Sequence, residues 1–295
     1  MRRWLTMVVV LGACAAILFY AQRHKTETHV GPEAMLNALA DTQREISRLP
    51  AGLARLSDRD EVRVGDAMAQ KYEVRTGVLG AAEAEVEDYV NAVGHSVAAR
   101  GRRKLEYKFH YIPDSGLVNA FALPGGHVFI GKGLLLLVQS EDELASVLAH
   151  EVEHVENYHC NDRVALQARL RHIPLGGLVM LPVELFQAGY TKEQEMEADR
   201  DGLALAVEAG YSPQGALQLF QTFARLEPAQ VSHSYSPDQE LSKVALEGIA
   251  GYFRSHPLPA EREAQAQRLM RAQHWPEPAL RALRVRPVQA AAVNP

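Results

Sequence analysis

A chain of 295 residues, 47% of them hydrophobic, can bury the core of one large domain or two modest ones, which excludes a disordered protein. Its net charge of −5 comes from acids and bases interspersed along the chain, so no basic face stands out for gathering phosphates and nucleic-acid binding is not expected. Two cysteines, Cys14 and Cys160, supply neither a disulfide framework nor a Cys-rich zinc knuckle, so any metal must be held by His and carboxylate.

At the N-terminus, Arg2 and Arg3 precede an uncharged run from Trp4 to Ala21, and Arg23, His24 and Lys25 close it. The run of about 18 residues approaches the roughly 20 of a spanning helix, so residues 1–24 are expected to be an uncleaved membrane anchor. Two rival readings stand beside it. One is a cleaved signal peptide, although such apolar stretches usually run only ~7–15 residues. The other is lipidation at Cys14, because Leu11-Gly12-Ala13-Cys14 resembles a lipobox. All three put the rest of the chain on a membrane or outside the cytoplasm, on its periplasmic or extracellular side.

From Pro32 to Leu56 apolar residues recur at helical intervals, interrupted at Pro50, so residues 25–73 read as a helical neck or linker. Ala81 to Arg100 predicts an amphipathic packing helix with Val86, Tyr89, Val90, Val93 and Val97 on one face. The period then changes. Leu105, Tyr107, Phe109 and Tyr111 alternate as in a half-buried strand, and Asp114-Ser115-Gly116 follows as a turn. Asn119–Leu123 and His127–Gly131 predict two short strands around Pro124-Gly125-Gly126. Residues 276–295, Ala-rich and Pro-containing beyond Pro287, are expected to be a flexible tail.

Ser140 with Glu143 three residues on makes a capping box ahead of an apolar-periodic run. The helix begun there contains His150-Glu151-Val152-Glu153-His154. Residues four apart stand one above the other, so His150 and His154 can aim imidazole nitrogens at one point. Glu151 lies about 100° around the helix, close enough to reach a water at that point without being a ligand. Glu153 points elsewhere and is expected to be solvated. Leu144, Val147, Leu148 and Val155 would bury part of this helix and draw the histidines toward a core. Such a pentapeptide arises by chance in roughly a few per cent of chains this rich in His, the alternative being an ordinary charged face.

Catalytic zinc keeps three protein ligands and one open position. The third is expected from Glu193-Gln194-Glu195-Met196-Glu197-Ala198-Asp199. Glu195 and Asp199 share a face, so Glu195 would complete a His, His, Glu set while Asp199 accepts the outer N–H of a ligand histidine. Glu197, about 200° around from Glu195, is the alternative ligand.

His150-Glu151-x-x-His154 followed by Glu195-x-x-x-Asp199 is similar to the gluzincin pattern. Glu195 to Gly202 resembles the second motif of HtpX/BepA-type peptidases, family forty-eight of the metallopeptidases. Asn119 to Gly126, Gly210-Tyr211-Ser212-Pro213, and Ser255-His256-Pro257 with Arg262 resemble further signatures of that family, over a span from about Val74 to Leu269. The resemblance implies an α+β fold: a mainly helical zincin-like domain, assigned to 74–275, with a small β-sheet beside the active-site helix. It also implies one zinc per chain, and places His256 and Arg262 over the metal, gating it or stabilising an oxyanion. Lys192 departs from the Arg common in relatives, and Val231 to Tyr252 looks like an insertion. The apolar, Gly- and Pro-interrupted stretch Ile173–Tyr190 reads as a mobile or membrane-facing flap.

The expected function is hydrolysis of peptide bonds in misfolded or unassembled envelope proteins, with Glu151 as general base. Asn119, Ala120, Phe121 and Ala122 would pair with extended substrate through the backbone. A chaperone-like binding module with a latent or structural zinc site is the alternative. The sequence leaves the assembly state open.

Overall fold

The computed structural model describes residues 55–76, 79–226, 256 and 259–287. The expected anchor, most of the neck and the insertion Val231–Tyr252 lie outside these. Among the described residues no helix is long and apolar enough to cross a membrane. In chain order the elements are α1 Asp58–Thr76, α2 Ala81–Ala98, β1 Lys108–Ile112, β2 Ala120–Leu123, β3 His127–Gly131, α3 Lys132–Leu137, α4 Glu141–Glu156, α5 His159–Leu170, α6 Glu184–Gln187, α7 Lys192–Glu208, α8 Gln214–Leu226 and α9 Pro259–Gln273.

The fold is mainly helical with one three-stranded sheet, ordered β1-β3-β2. β1 runs parallel to β3 and β2 antiparallel to it, with Phe121 opposite Phe129 and Leu123 opposite His127. The β2–β3 connection is a 3-10 turn, Pro124–Gly126, in which Gly125 and Gly126 adopt φ of 78° and 99°. Side chains other than glycine are strained there.

α4 is the centre of the molecule. The predicted apolar face is buried, with Leu144, Leu148 and Val155 at 0% exposure, and so is nearly all the rest of the helix except Ser146. Ser140 caps it by accepting from the Glu143 N–H, while Glu143 reaches back one residue further than a capping box does, to the Gln139 N–H. A second apolar cluster, Leu203, Ala216, Leu217, Phe220, Ala266 and Met270, joins α7, α8 and α9. It forms a wall facing α4.

Three expectations are corrected. The expected neck of 25–73 is not a linker over its last part, because α1 from Asp58 is built into the domain. Val64, Met68 and Ala69 of α1 belong to the main core, and Glu61 is fully buried against Arg103 and the Asn161 amide. The tail from 276 is not loose up to 287. The first-turn N–H groups of α4 need acceptors, and the Arg281 carbonyl takes the Glu141 N–H while the Arg281 N–H donates to Asp142. The apolar stretch Ile173–Tyr190 is not a flap over its whole length: Leu178, Leu181, Val183, Leu185 and Phe186 are buried and Arg163 donates to the carbonyls of Leu185 and Gly189, while Leu175 and Met180 stay exposed.

Candidate metal centre

α4 and α7 lie side by side because Gly202 lets them. A Cβ at Gly202 would come within 2.9 Å of the His150 backbone nitrogen and 3.0 Å of its Cα. α7 starts from Thr191, whose side chain accepts from the Gln194 N–H while the Gln194 side chain accepts from the Thr191 N–H. That capping box fixes the first turn, which carries Glu195. Glu195 Oε1 also accepts from the Tyr190 N–H at 3.0 Å.

The donor atoms of the predicted residues converge. His150 Nε2 and His154 Nε2 are 3.1 Å apart. Glu195 Oε2 lies 3.4 Å from His150 Nε2, and Glu195 Oε1 3.7 Å from His154 Nε2. Donors at about 2.0–2.1 Å on a tetrahedral zinc are about 3.4 Å from one another, so this set fits such an ion. His256 Nδ1 is 2.7 Å from Glu195 Oε2, and His150, Glu195 and His256 group as a possible metal-holding cluster.

The outer nitrogens settle which inner ones are available. His150 Nδ1 stands 2.9 Å from Asp199 Oδ1, and as the donor there it leaves Nε2 a lone pair. His154 Nδ1 stands 3.0 Å from His159 Nδ1, and His159 Nε2 is 3.3 Å from Glu197 Oε2. Read as His154 donating to His159 and His159 to Glu197, this relay also frees His154 Nε2. Tyr190 stacks on the His154 ring at 4.0 Å and is itself covered by the Arg163 guanidinium at 3.7 Å. His159 and Tyr190 escaped the sequence reading, and Glu197, expected there as the alternative ligand, instead meets His159 Nε2. A third histidine five positions past His154 was the available signal.

Electrostatically the pocket is built for positive charge. Burial would lower His150, but hydrogen bonds to Asp199 and Glu195 outweigh it and push its pKa up to about 10, so Nε2 carries a proton that a metal ion would have to displace. Burial opposes ionisation of Asp199, yet the Arg262 guanidinium and His150 hold it at about 2. Glu195 is likewise held well below the usual carboxylate range, against burial, by His256 and His150. Burial pushes Glu151 up to about 7, a value suited to taking and returning a proton near neutrality.

Arg262 does not stand free over the site. It grips Asp199 with two bonds, 2.7 and 2.6 Å long, and its guanidinium lies over Phe220. Glu153 is buried rather than solvated, in an ion pair with Arg102 at 2.7 Å. Of the strand residues, Phe121 stacks on Phe129 in the core. Asn119 gives its carbonyl to Gly131 N–H, and its buried side-chain Oδ1 has no hydrogen-bond partner among the described residues. Hydrogen-bonded pairs alternate along an antiparallel ladder, so Ala120 and Ala122 direct their backbone groups away from β3. Ala122 N–H bonds Glu151. Ala120 lines a cleft of ≈ 540 Å³, counting its open mouth, with His150, Glu151, Arg262, Leu203 and Phe220.

With this geometry in place, comparison with known proteins is specific. The model of peptidase family M48 matches residues 82–270, close to the span read from the motifs. The chain is 32% identical over 212 residues to a putative beta-barrel assembly-enhancing protease of Vibrio cholerae, covering 65% of this chain and 40% of that protein. It is 26% identical over 235 residues to the beta-barrel assembly-enhancing protease of Escherichia coli (strain K12), covering 72% and 44%. To the mitochondrial metalloendopeptidase OMA1 of Schizosaccharomyces pombe it is 32% identical over 142 residues, covering 42% and 40%. The chain therefore spans less than half the length of each of these relatives.

Proposed function

The chain belongs to peptidase family M48, and from that premise we propose that it is a zinc-dependent metalloendopeptidase acting on unfolded or unassembled envelope proteins. The observation that carries this reading is the convergence of His150 Nε2, His154 Nε2 and the Glu195 carboxylate, with Glu151 alongside. These three residues would hold one zinc. When bound, the metal supplies Lewis acidity, which acidifies water and polarises a carbonyl.

The chain's own residues do the rest. Glu151 accepts the proton of the attacking water and returns it to the leaving amine, a role that its raised pKa and its position in the cleft support. Asp199 and the His159–Glu197 pair hold the two imidazoles in one tautomer. Arg262 keeps Asp199 ionised and fixed. The outward backbone groups of Ala120 pair with an extended substrate, a grip that reads no side chain and so suits unfolded clients. Glu151→Gln is expected to retain zinc and lose about 10²–10⁴-fold in casein hydrolysis. Full activity in that variant would remove Glu151 as the base.

A second reading is favoured by one contact, His256 Nδ1 on Glu195 Oε2 at 2.7 Å. His256 then occupies the position that substrate needs, and the peptidase is latent until the segment carrying it moves. His256→Ala raises casein hydrolysis at unchanged zinc content if the site is latent. It lowers zinc content without gain of activity if His256 is a fourth ligand of a structural site.

A further inference from the structure

Three large apolar side chains stand exposed among the described residues: Leu170 at 48%, Leu175 at 39% and Met180 at 73%. All three fall within one excursion of the chain, from the end of α5 to the end of the 3-10 segment Leu175–Met180. Scattered surface leucines are ordinary, but this degree of clustering is not. The same excursion is set apart by charge. In a chain with 36 acidic residues none occurs between Asp162 and Glu184, whereas Arg169, Arg171 and His172 are all exposed there. Neither Arg169 nor Arg171 has an ion pair among the described residues.

The excursion is held in shape. α5 ends in a Schellman turn, with Ile173 N–H on the Ala168 carbonyl at 2.8 Å and His172 N–H on the Arg169 carbonyl at 3.2 Å. His172 takes the left-handed position, φ 52°, that glycine usually fills. Leu178 anchors the returning arm in the core, and Lys71 of α1 donates to the Val179 carbonyl and to Met180 Sδ. Between these fixed points Pro174, Leu175 and Gly176 project, and a Cβ on Gly176 would meet nothing within 4 Å.

We propose that residues 169–180 seat the protein on an anionic bilayer, with Leu170, Leu175 and Met180 in the headgroup–acyl boundary and Arg169, Arg171, His172 and Lys71 on lipid phosphates. Apolar side chains flanked by cations on an acid-free surface suit a negatively charged membrane. An unfolded client would find the apolar residues but has no general need of the cations. This attachment is independent of peptide hydrolysis and of what residues 1–24 do.

The test uses the full chain with Cys14→Ser, since Cys160 is fully buried and inert to labelling. Leu175→Cys and Met180→Cys carry an environment-sensitive fluorophore, and Ala272→Cys on α9 is the exposed control. The chain is reconstituted in vesicles of phosphatidylcholine with phosphatidylglycerol, with brominated acyl chains as quencher. Labels at 175 and 180 are expected to shift to the blue and be quenched while the label at 272 stays in water. Arg169→Gln with Arg171→Gln is expected to reduce the lipid-contacting population roughly 30-fold, and pure phosphatidylcholine, which also removes the attraction for Lys71, to a greater degree. The proposal is overturned if labels at 175 and 180 remain as solvent-exposed as that at 272. It is equally overturned if they respond only to added unfolded casein, which would make the patch a client-binding surface. Both labelled positions are exposed, and coincident thermal melts verify their folding.

Discussion

Each imidazole that faces the centre has its far nitrogen fixed by a different partner: a carboxylate directly for His150, a second imidazole and then a carboxylate for His154. Removing the relay tests it. His159→Phe leaves the buried His154 Nδ1 without a partner, and the zinc affinity measured by competition with a chelating dye is expected to fall about 10–100-fold. An unchanged affinity would reduce His159 to packing. At this scale the sequence was legible where period alone decides. His150 and His154 share one face of α4, and Glu195 and Asp199 one face of α7, because four-residue spacing on a helix is nearly invariant, whereas the meeting of the two pairs depends on packing at Gly202. His159 and Tyr190 were hidden because their approach depends on a left-handed residue, Tyr158 at φ 62°, and on a loop, neither of which leaves a periodic trace. Glu153 looked solvated because its partner, Arg102, stands 51 positions away.

Between elements, the decisive contact is the seating of α7 on α4. Gly202→Ala adds one methyl where the His150 backbone already stands at 2.9 Å. The helices must separate by some tenths of an ångström, at a cost of ~1–3 kcal/mol, and Glu195 retreats from the two imidazoles. A lower melting temperature together with weakened zinc binding is the expected result, read by thermal scanning and metal titration. Wild-type behaviour in both would show that the helices have slack. The strands around Pro124-Gly125-Gly126 and the capped start of α4 were legible from turn and cap chemistry. The burial of the 173–190 stretch was not, since an apolar run interrupted by proline and glycine reads alike whether packed inside or facing lipid.

For the molecule as a whole, both ends of the catalytic region proved to be structural. α1 supplies core residues and a buried carboxylate, and the segment after α9 closes the N-terminus of α4. Low-complexity composition concealed the second of these, in which Arg281 and Arg284 bond to α4 and Leu283 and Val285 pack on the main core. Ending the chain after Trp275 removes the acceptor for Glu141 N–H, a donor to Asp142 and the Arg284–Glu141 pair. At ~0.5–1.5 kcal/mol for each of the two backbone bonds, the loss is about 1–3 kcal/mol of stability, measurable by urea unfolding. An unaltered midpoint would make the segment dispensable.

The close approach at Gly202 also governs how the proposed metal would be held. Backbone packing between two helices, whose donors are 45 positions apart in sequence, brings His150, His154 and Glu195 together. The pocket is thus a socket moulded by the polypeptide, and the zinc proposed for it would meet donors that helix packing has set in place. On that reading, metal loading is governed at a residue that donates nothing to the ion, because one backbone contact sets the spacing of every donor.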